Sequence, residues 1–132
     1  GKDRKRCLEA NETLFAKLFA PRCTPHLGHL SEESDNPLNG VCYMWWDGFP
    51  AIALPDDPDR AMLHEAAVRT MARILQLDSL ACQESALHGL GHWHRDRPAD
   101  VERVVDRFLA TGNAADARLL PYAQAARRGC VL

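Results

Sequence analysis

The sequence predicts an all-α protein, and three observations lead to this fold class. Apolar residues recur at three- and four-residue spacing in several segments, which is the period of an amphipathic helix. No segment shows the alternation of apolar and polar residues that is typical of a half-buried strand. Asn, Asp, Ser and Pro residues stand where helices would begin, and Gly residues stand where they would end. The 132 residues fit a single domain with its own hydrophobic core.

The first 55 residues are expected to form capping helices and a loop. A helical pattern covers residues 3–20, and Pro21 is expected to stop it. Residues 23–36 are rich in Pro, Gly and acidic residues, so we expect mostly loop with room for one short turn of helix. Asn36 followed by Pro37 has the form of an N-cap with proline at the first helical position. A short helix is therefore predicted from Pro37 to about Asp47, ending near Gly48.

Residues 56–132 are expected to form four longer helices. Their predicted bounds are about 58–75, 78–94, 98–111 and 118–128, the last closing at Gly129. At 100° per residue the first of them has one apolar face. That face consists of Leu63, Ala67, Val68, Met71, Ile74 and Leu75. The apolar face predicted for the second consists of Leu80, Ala86, Leu87, Leu90 and Trp93. These two faces are the predicted core.

The helix starts near residues 58, 78 and 98 recur every 20 residues, so two consecutive helices form a unit of roughly 40 residues. Residues 86–91 read Ala-Leu-His-Gly-Leu-Gly, and the second helix of HEAT-like repeats commonly ends in Ala-Leu-x-x-Leu-Gly. On these residues the segment 58–129 resembles two HEAT-like repeats, and the chain is similar to small bacterial proteins that contain them. The resemblance implies an α-α superhelix of stacked antiparallel hairpins, with the N-terminal helices as a cap. It also implies a protein-interaction or scaffold role without catalytic residues.

The main candidate site lies in residues 80–93. Glu84, His88 and His92 are four residues apart, so a helix stacks them on the side opposite the apolar face, where we expect them to be exposed. In a HEAT-like arrangement this side lines the concave groove, and Glu84, Ser85, His88 and His92 would bind a protein partner. The alternative is a metal site, because two histidines four apart on a helix and a carboxylate can share a zinc ion. Zinc is the one cofactor that the sequence suggests.

Residues 41–50 are dense in aromatic side chains. The first interpretation is that these rings fill the end of the helical stack, where a further repeat is missing. The alternative is that Trp45 and Trp46 form an exposed anchor for a partner, since tryptophan is enriched at binding hot spots. Asp47 would be the end of that surface or a turn residue. Sequence alone does not decide whether the two indoles are buried.

Other histidines carry weaker signals. His64 falls within the apolar face of its helix, so a hydrogen-bonded core histidine is expected. His26 and His29 follow Cys23 in a loop at His-x-x-His spacing, which is a faint metal pattern. No serine has the context of a nucleophile elbow, and no glycine-rich loop suits a phosphate or a dinucleotide.

Composition narrows the functional classes further. The formal net charge of −2 argues against broad electrostatic capture of nucleic acid, and Arg69 and Arg73 beside Glu65 make a weak case for it. Five scattered cysteines without a Cys-x-x-Cys pair indicate a reducing compartment, so we expect a cytoplasmic protein. No stretch approaches the roughly 18 apolar residues of a membrane span.

Overall fold

The computed structural model describes residues 1–31, 33–47 and 55–131, and within these ranges the chain forms helices and no strands. The predicted all-α class is confirmed. The α-helices are α1 (Lys2–Glu9), α2 (Asn11–Leu14), α3 (Ala20–Arg22), α4 (Pro37–Tyr43), α5 (Arg60–Ile74), α6 (Leu80–Trp93), α7 (Pro98–Thr111) and α8 (Leu119–Arg127). A π-helical turn covers Phe15–Phe19, and two 3₁₀ turns cover Gly28–Leu30 and Trp45–Asp47.

The first helical segment continues past the proline that was expected to stop it. The amide of Ala20 donates to the carbonyl of Phe15, five residues back, so the helix is already widened when it reaches Pro21. It ends at Arg22, and Cys23 has extended backbone. In the described residues of the loop that follows, 23–31 and 33–36, the 3₁₀ turn at Gly28–Leu30 is the one short helical turn, as expected.

Several predicted helix ends agree with the structure, whereas α5 begins at Arg60 and not at residue 58, and it has no side-chain cap. The Asn36 side chain accepts a hydrogen bond from the amide of Leu38 at the start of α4. Ser79 caps α6 by accepting from the amide of Cys82. Gly112 (φ +67°) and Gly129 (φ +71°) follow α7 and α8 in the left-handed conformation that favours glycine. The expected end of the short helix at Gly48 lies outside the described residues, and α4 itself ends at Tyr43.

Helix α6 lies at the centre of the molecule. It packs against α4, α5, α7, α8 and the 3₁₀ turn Trp45–Asp47. Thirteen of its 14 residues are buried, and only His92 is not. The apolar faces predicted for α5 and α6 are both buried, which confirms them. The expectation that the opposite face of α6 is exposed is wrong, because α4, the 3₁₀ turn and α8 cover that face.

Two glycines of α6 make this close packing possible. A Cβ added at Gly89 would lie 2.8 Å from the Trp46 ring, and one at Gly91 would overlap Val131. The missing side chains of these glycines let Trp46 and Val131 approach the backbone of α6 closely.

The aromatic stretch belongs to the core over the part that the structure describes. Trp46 is 4% exposed and stacks on Phe15, with ring centroids 5.9 Å apart. Trp45 is half-buried, contacts Phe19 edge-on, and donates its indole N–H to the side chain of Asn11. The described helices include none that is long and apolar enough to cross a bilayer.

Candidate metal centre

Three side chains from two elements converge at one end of α6. Helix α6 places His88 and His92 one turn apart, and the 3₁₀ turn Trp45–Asp47 brings the carboxylate of Asp47 beside them. The two Nε2 atoms lie 3.1 Å from each other. A carboxylate oxygen of Asp47 lies 3.1 Å from His88 Nε2, and another lies 3.2 Å from His92 Nε2. In the part of the chain that the structure describes, no other group of three His, Cys, Asp or Glu side chains is close enough to share a metal ion.

The predicted third ligand, Glu84, is not part of this group. Its side chain is 2% exposed and accepts hydrogen bonds from the amides of Gly28 (2.9 Å) and His29 (3.0 Å). It also contacts Nδ1 of His29. A carboxylate one turn before His88 can point along the helix toward the metal or sideways into a loop, and here it holds the loop of residues 23–36. The predicted pair His88 and His92 is brought together, whereas Glu84 is replaced by Asp47.

The predicted partner-binding surface is also corrected. Glu84, Ser85 and His88 are buried, and the Ser85 hydroxyl donates to the carbonyl of Cys42 in α4. His92 is the exception, with 46% of its side chain exposed. These residues therefore do not form an exposed stripe, and the buried Trp46 is not an exposed anchor.

His88 is held by a second hydrogen bond on its other nitrogen. Its Nδ1 lies 2.9 Å from the hydroxyl of Tyr122, which is 3.2 Å from the hydroxyl of Tyr43. The ring of His29 stacks on Tyr122 with centroids 4.0 Å apart. Burial raises the pKa of Tyr122 and that of Tyr43, so both phenols keep their protons at neutral pH.

The protonation state of His88 suits a metal ligand. Burial lowers the pKa of His88, and the hydrogen bond to Asp47 opposes this effect only in part. At neutral pH the ring is therefore uncharged, which is the form that coordinates metals. When Nε2 uses its lone pair for a metal, the proton stands on Nδ1 and is donated to the hydroxyl of Tyr122. Such a hydrogen bond orients a ligating histidine and fixes its tautomer.

The spacing of the three ligand atoms fits a metal ion. Bonds of about 2.0 Å place the ligand atoms of a tetrahedral ion about 3.3 Å apart, and bonds of about 2.2 Å place neighbouring atoms of an octahedral ion about 3.1 Å apart. The observed separations are 3.1 and 3.2 Å. Three protein ligands leave at least one coordination position for water or substrate.

An open cleft of about 320 Å³ is lined by two of the three candidate ligands, Asp47 and His92. Its lining consists of Trp46, Asp47, His64, His92, Trp93, Arg95 and Asp96. His88 is fully buried behind it, whereas 30% of the Asp47 side chain is exposed. The open coordination position would therefore face the cleft on the side of Asp47 and His92.

His64 is a core histidine, as expected, but it is not hydrogen-bonded. It is 4% exposed, and its ring meets Trp93 edge-on with centroids 4.6 Å apart. Within residues 1–31, 33–47 and 55–131 neither of its ring nitrogens has a hydrogen-bond partner. Burial lowers the pKa of His64, and Asp96 opposes this effect.

The sequence did not indicate Asp47 as a candidate ligand, nor the hydrogen bonds and ring contacts of His29, Tyr43 and Tyr122 around His88. No spacing rule connects these residues with His88, because they come from loops and helices far along the chain. The sequence carried no signal that would have found them, because the burial of Gln83, Glu84, Ser85 and His88 follows only from the packing around α6.

No protein-family model, curated protein or solved structure matches the chain. The function is therefore inferred from the ligand atoms, from the hydrogen bonds around them and from the cleft beside them.

Proposed function

We propose that the protein binds a divalent transition metal ion, zinc in the first place, through Asp47, His88 and His92. The observation that carries the proposal is the convergence of two Nε2 atoms and one carboxylate within 3.1–3.2 Å of one another. This is the metal-binding alternative suggested by the sequence, with Asp47 in place of Glu84.

The surroundings of the three atoms support this function. Imidazole and carboxylate ligands suit both zinc and iron(II), and zinc binds the same nitrogen and oxygen sites more tightly in the Irving–Williams order. Tyr122 supplies the hydrogen bond that holds His88 in the metal-binding tautomer. A purely structural polar cluster would not need an open side, whereas here two of the three ligands lie in the lining of a cleft.

Metal content and affinity test the proposal directly. Protein purified without a histidine tag is stripped with chelator, titrated with Zn²⁺ or, without oxygen, with Fe²⁺, and analysed for bound metal. We expect one Zn²⁺ per chain and weaker binding of Fe²⁺. His92→Ala and Asp47→Asn should weaken zinc binding by more than the 10- to 100-fold typical of losing a supporting residue. Both residues are partly exposed, so both variants should fold.

The matched control is Glu84→Gln, which changes the carboxylate that the sequence favoured as a ligand. Because Glu84 bonds the loop at Gly28 and His29, its variant should keep wild-type zinc affinity. Wild-type protein that binds no metal would refute the proposal and leave the three side chains as a hydrogen-bonded cluster. Equal losses in Glu84→Gln and His92→Ala would refute the ligand set.

A HEAT-like arrangement with a protein-interaction role is a second proposal. Helices α5, α6, α7 and α8 begin at residues 60, 80, 98 and 119, so their starts are 20, 18 and 21 residues apart. Helix α5 packs on α6, α7 packs on α8, and α6 packs on α8, which suits two stacked hairpins. With Glu84, Ser85 and His88 buried, His92 and Trp45 are the candidates that such a partner could still reach. Cross-linking of the purified protein in a cell extract, with His92→Ala as the comparison, would test it.

A cytoplasmic location is part of this second proposal. Its support is that all five cysteines are free, including the buried Cys42 and Cys82. Fractionation of cells expressing the tagged full-length protein would test it.

A further inference from the structure

We infer that the cleft beside Asp47 and His92 is a hydrolytic active site for a small carboxylic ester that carries a second, free carboxylate. The inference rests on the proposed metal centre and adds to it a reaction, a proton acceptor and a substrate class.

His64 is the first observation that points to a ligand in the cleft. It lines the cleft, is more than nine-tenths buried, and has no hydrogen-bond partner in the described part of the chain. The ring packs edge-on against Trp93, with centroids 4.6 Å apart. Neither ring nitrogen of His64 is among the polar atoms that are sealed from solvent without a partner, so the unbonded nitrogens are open to the cleft. A substrate or a water molecule in the cleft can therefore hydrogen-bond to His64.

Charge is the second observation. Arg95 lines the cleft, and within the described ranges no ion pair neutralises it. Asp96 is neutralised by Arg60, whose guanidinium lies 2.9 Å away. A divalent metal with one carboxylate ligand leaves one further positive charge beside Asp47. The loaded cleft is therefore positive at two points and favours a substrate with two anionic or polarised oxygens.

The shape and the polarity of the cleft further define the class of substrate that it would bind. The indoles of Trp46 and Trp93 line the cleft and provide a flat apolar wall. A volume of about 320 Å³ accepts a small molecule. An ester carbonyl at the metal, a carboxylate at Arg95 and an apolar group against the indoles would use each of these features.

The reaction is an ordinary hydrolysis. Water at the open coordination position loses one proton to a ring nitrogen of His64, and its oxygen forms a bond to the ester carbonyl carbon. The carbon–oxygen bond to the alcohol then breaks, and the leaving alkoxide takes the proton back from His64. The products are a carboxylic acid and an alcohol, and no oxidant or reductant is needed.

Two chromogenic esters of equal length test the substrate class. The mono-4-nitrophenyl ester of terephthalic acid carries a free carboxylate that cannot reach its own ester carbonyl, and 4-nitrophenyl 4-methylbenzoate has a methyl group in its place. With zinc bound, we expect kcat/KM for the terephthalate ester to be at least tenfold higher, and we expect metal-free protein to show only the background rate. Arg95→Gln should remove the preference, and Arg103→Gln, at an exposed arginine outside this cleft, should keep it.

His64 has its own test. Because 4-nitrophenolate leaves without a proton, His64→Gln reports on proton removal from water alone. We expect kcat to fall about 100- to 10,000-fold with KM little changed. Because His64 is buried, His64→Ala is assayed in parallel with added imidazole, which should restore part of the rate if that cavity variant folds.

The outcomes of these experiments distinguish the proposed metal centre from the inferred hydrolytic activity. A protein that binds no zinc refutes the metal centre itself. A protein that binds one zinc but hydrolyses neither ester above background overturns this inference and leaves the metal centre standing. An unchanged preference in Arg95→Gln overturns the role of the carboxylate, and an unchanged kcat in folded His64→Gln overturns the role of His64.

Discussion

Replacing Tyr122 with phenylalanine should weaken metal binding although Tyr122 is not a ligand. The substitution removes one hydroxyl, which lies 2.9 Å from Nδ1 of His88 and 3.2 Å from the hydroxyl of Tyr43. His88 is completely buried, so water does not replace the lost hydrogen bond. The ring of Phe still packs against His29, because only the oxygen is lost.

The loss is larger in the metal-bound state. With metal on Nε2, the Nδ1–H of His88 becomes a stronger donor and has no acceptor in the variant. Without metal, the proton can stand on Nε2 and bond Asp47, and Nδ1 then lacks only a donor. Loss of a residue that supports a ligating histidine typically lowers metal affinity 10- to 100-fold, or by about 1.4–2.7 kcal/mol. We therefore expect the zinc Kd of Tyr122→Phe to rise by that factor.

Competition with a chromogenic chelator measures the Kd, and Tyr43→Phe is the matched control. It removes the neighbouring hydroxyl but leaves the hydrogen bond between Tyr122 and His88. Because the hydroxyl of Tyr43 is one hydrogen bond further from the metal, the zinc Kd of Tyr43→Phe should rise no more than about threefold. The same Kd for Tyr122→Phe and wild type would refute the role of this hydroxyl. Equal increases in both variants would show that loosened packing, and not the bond to His88, is responsible.

Three further predictions concern stability. Leu87→Ala should lower the free energy of unfolding by about 2–5 kcal/mol in urea titrations, because Leu87 is completely buried in α6; a loss under 1 kcal/mol would contradict its central place. Glu84→Gln should cost about 1.5–3 kcal/mol in the same assay by weakening charge-assisted bonds to the loop, and amide exchange at Gly28 should quicken; an unchanged exchange rate would argue against that bond. Burial lowers the pKa of His64 and of His88, so below about pH 6.5 the unfolded chain binds more protons than the folded chain does. The free energy of unfolding of the metal-free protein should therefore decrease as the pH is lowered. The slope should be smaller in His64→Gln, and an identical slope would rule out the contribution of His64.

Local features of this protein were predictable because their causes are local. Asn36 and Ser79 cap helices with their own side chains, and Gly112 takes the left-handed conformation that ends α7. The spacing of apolar residues in α5 and α6 correctly predicted which face of each helix is buried in the core. Pro21 shows the limit of such rules, since the widened turn before it let the helix run on to Arg22.

The candidate site was predictable only in part. The spacing of His88 and His92 follows from the geometry of one helix, so their proximity was visible in the sequence. Glu84 satisfied the same spacing, yet its carboxylate turns to the loop at Gly28. Asp47 is separated from His88 by 41 residues, and no local rule relates the two.

The sequence by itself determined the helical class, most helix ends and the pair of histidines on α6, because periodicity and capping act over a few residues. Only the tertiary structure decided that α6 is surrounded, since burial depends on how α4, α8 and the turn at Trp45–Asp47 pack around it. Because of that packing, the polar residues Glu84, Ser85 and His88, which were expected to be exposed, are buried. It also placed Asp47, and not Glu84, beside the two histidines of the candidate metal centre, because distant side chains meet only when the chain is folded.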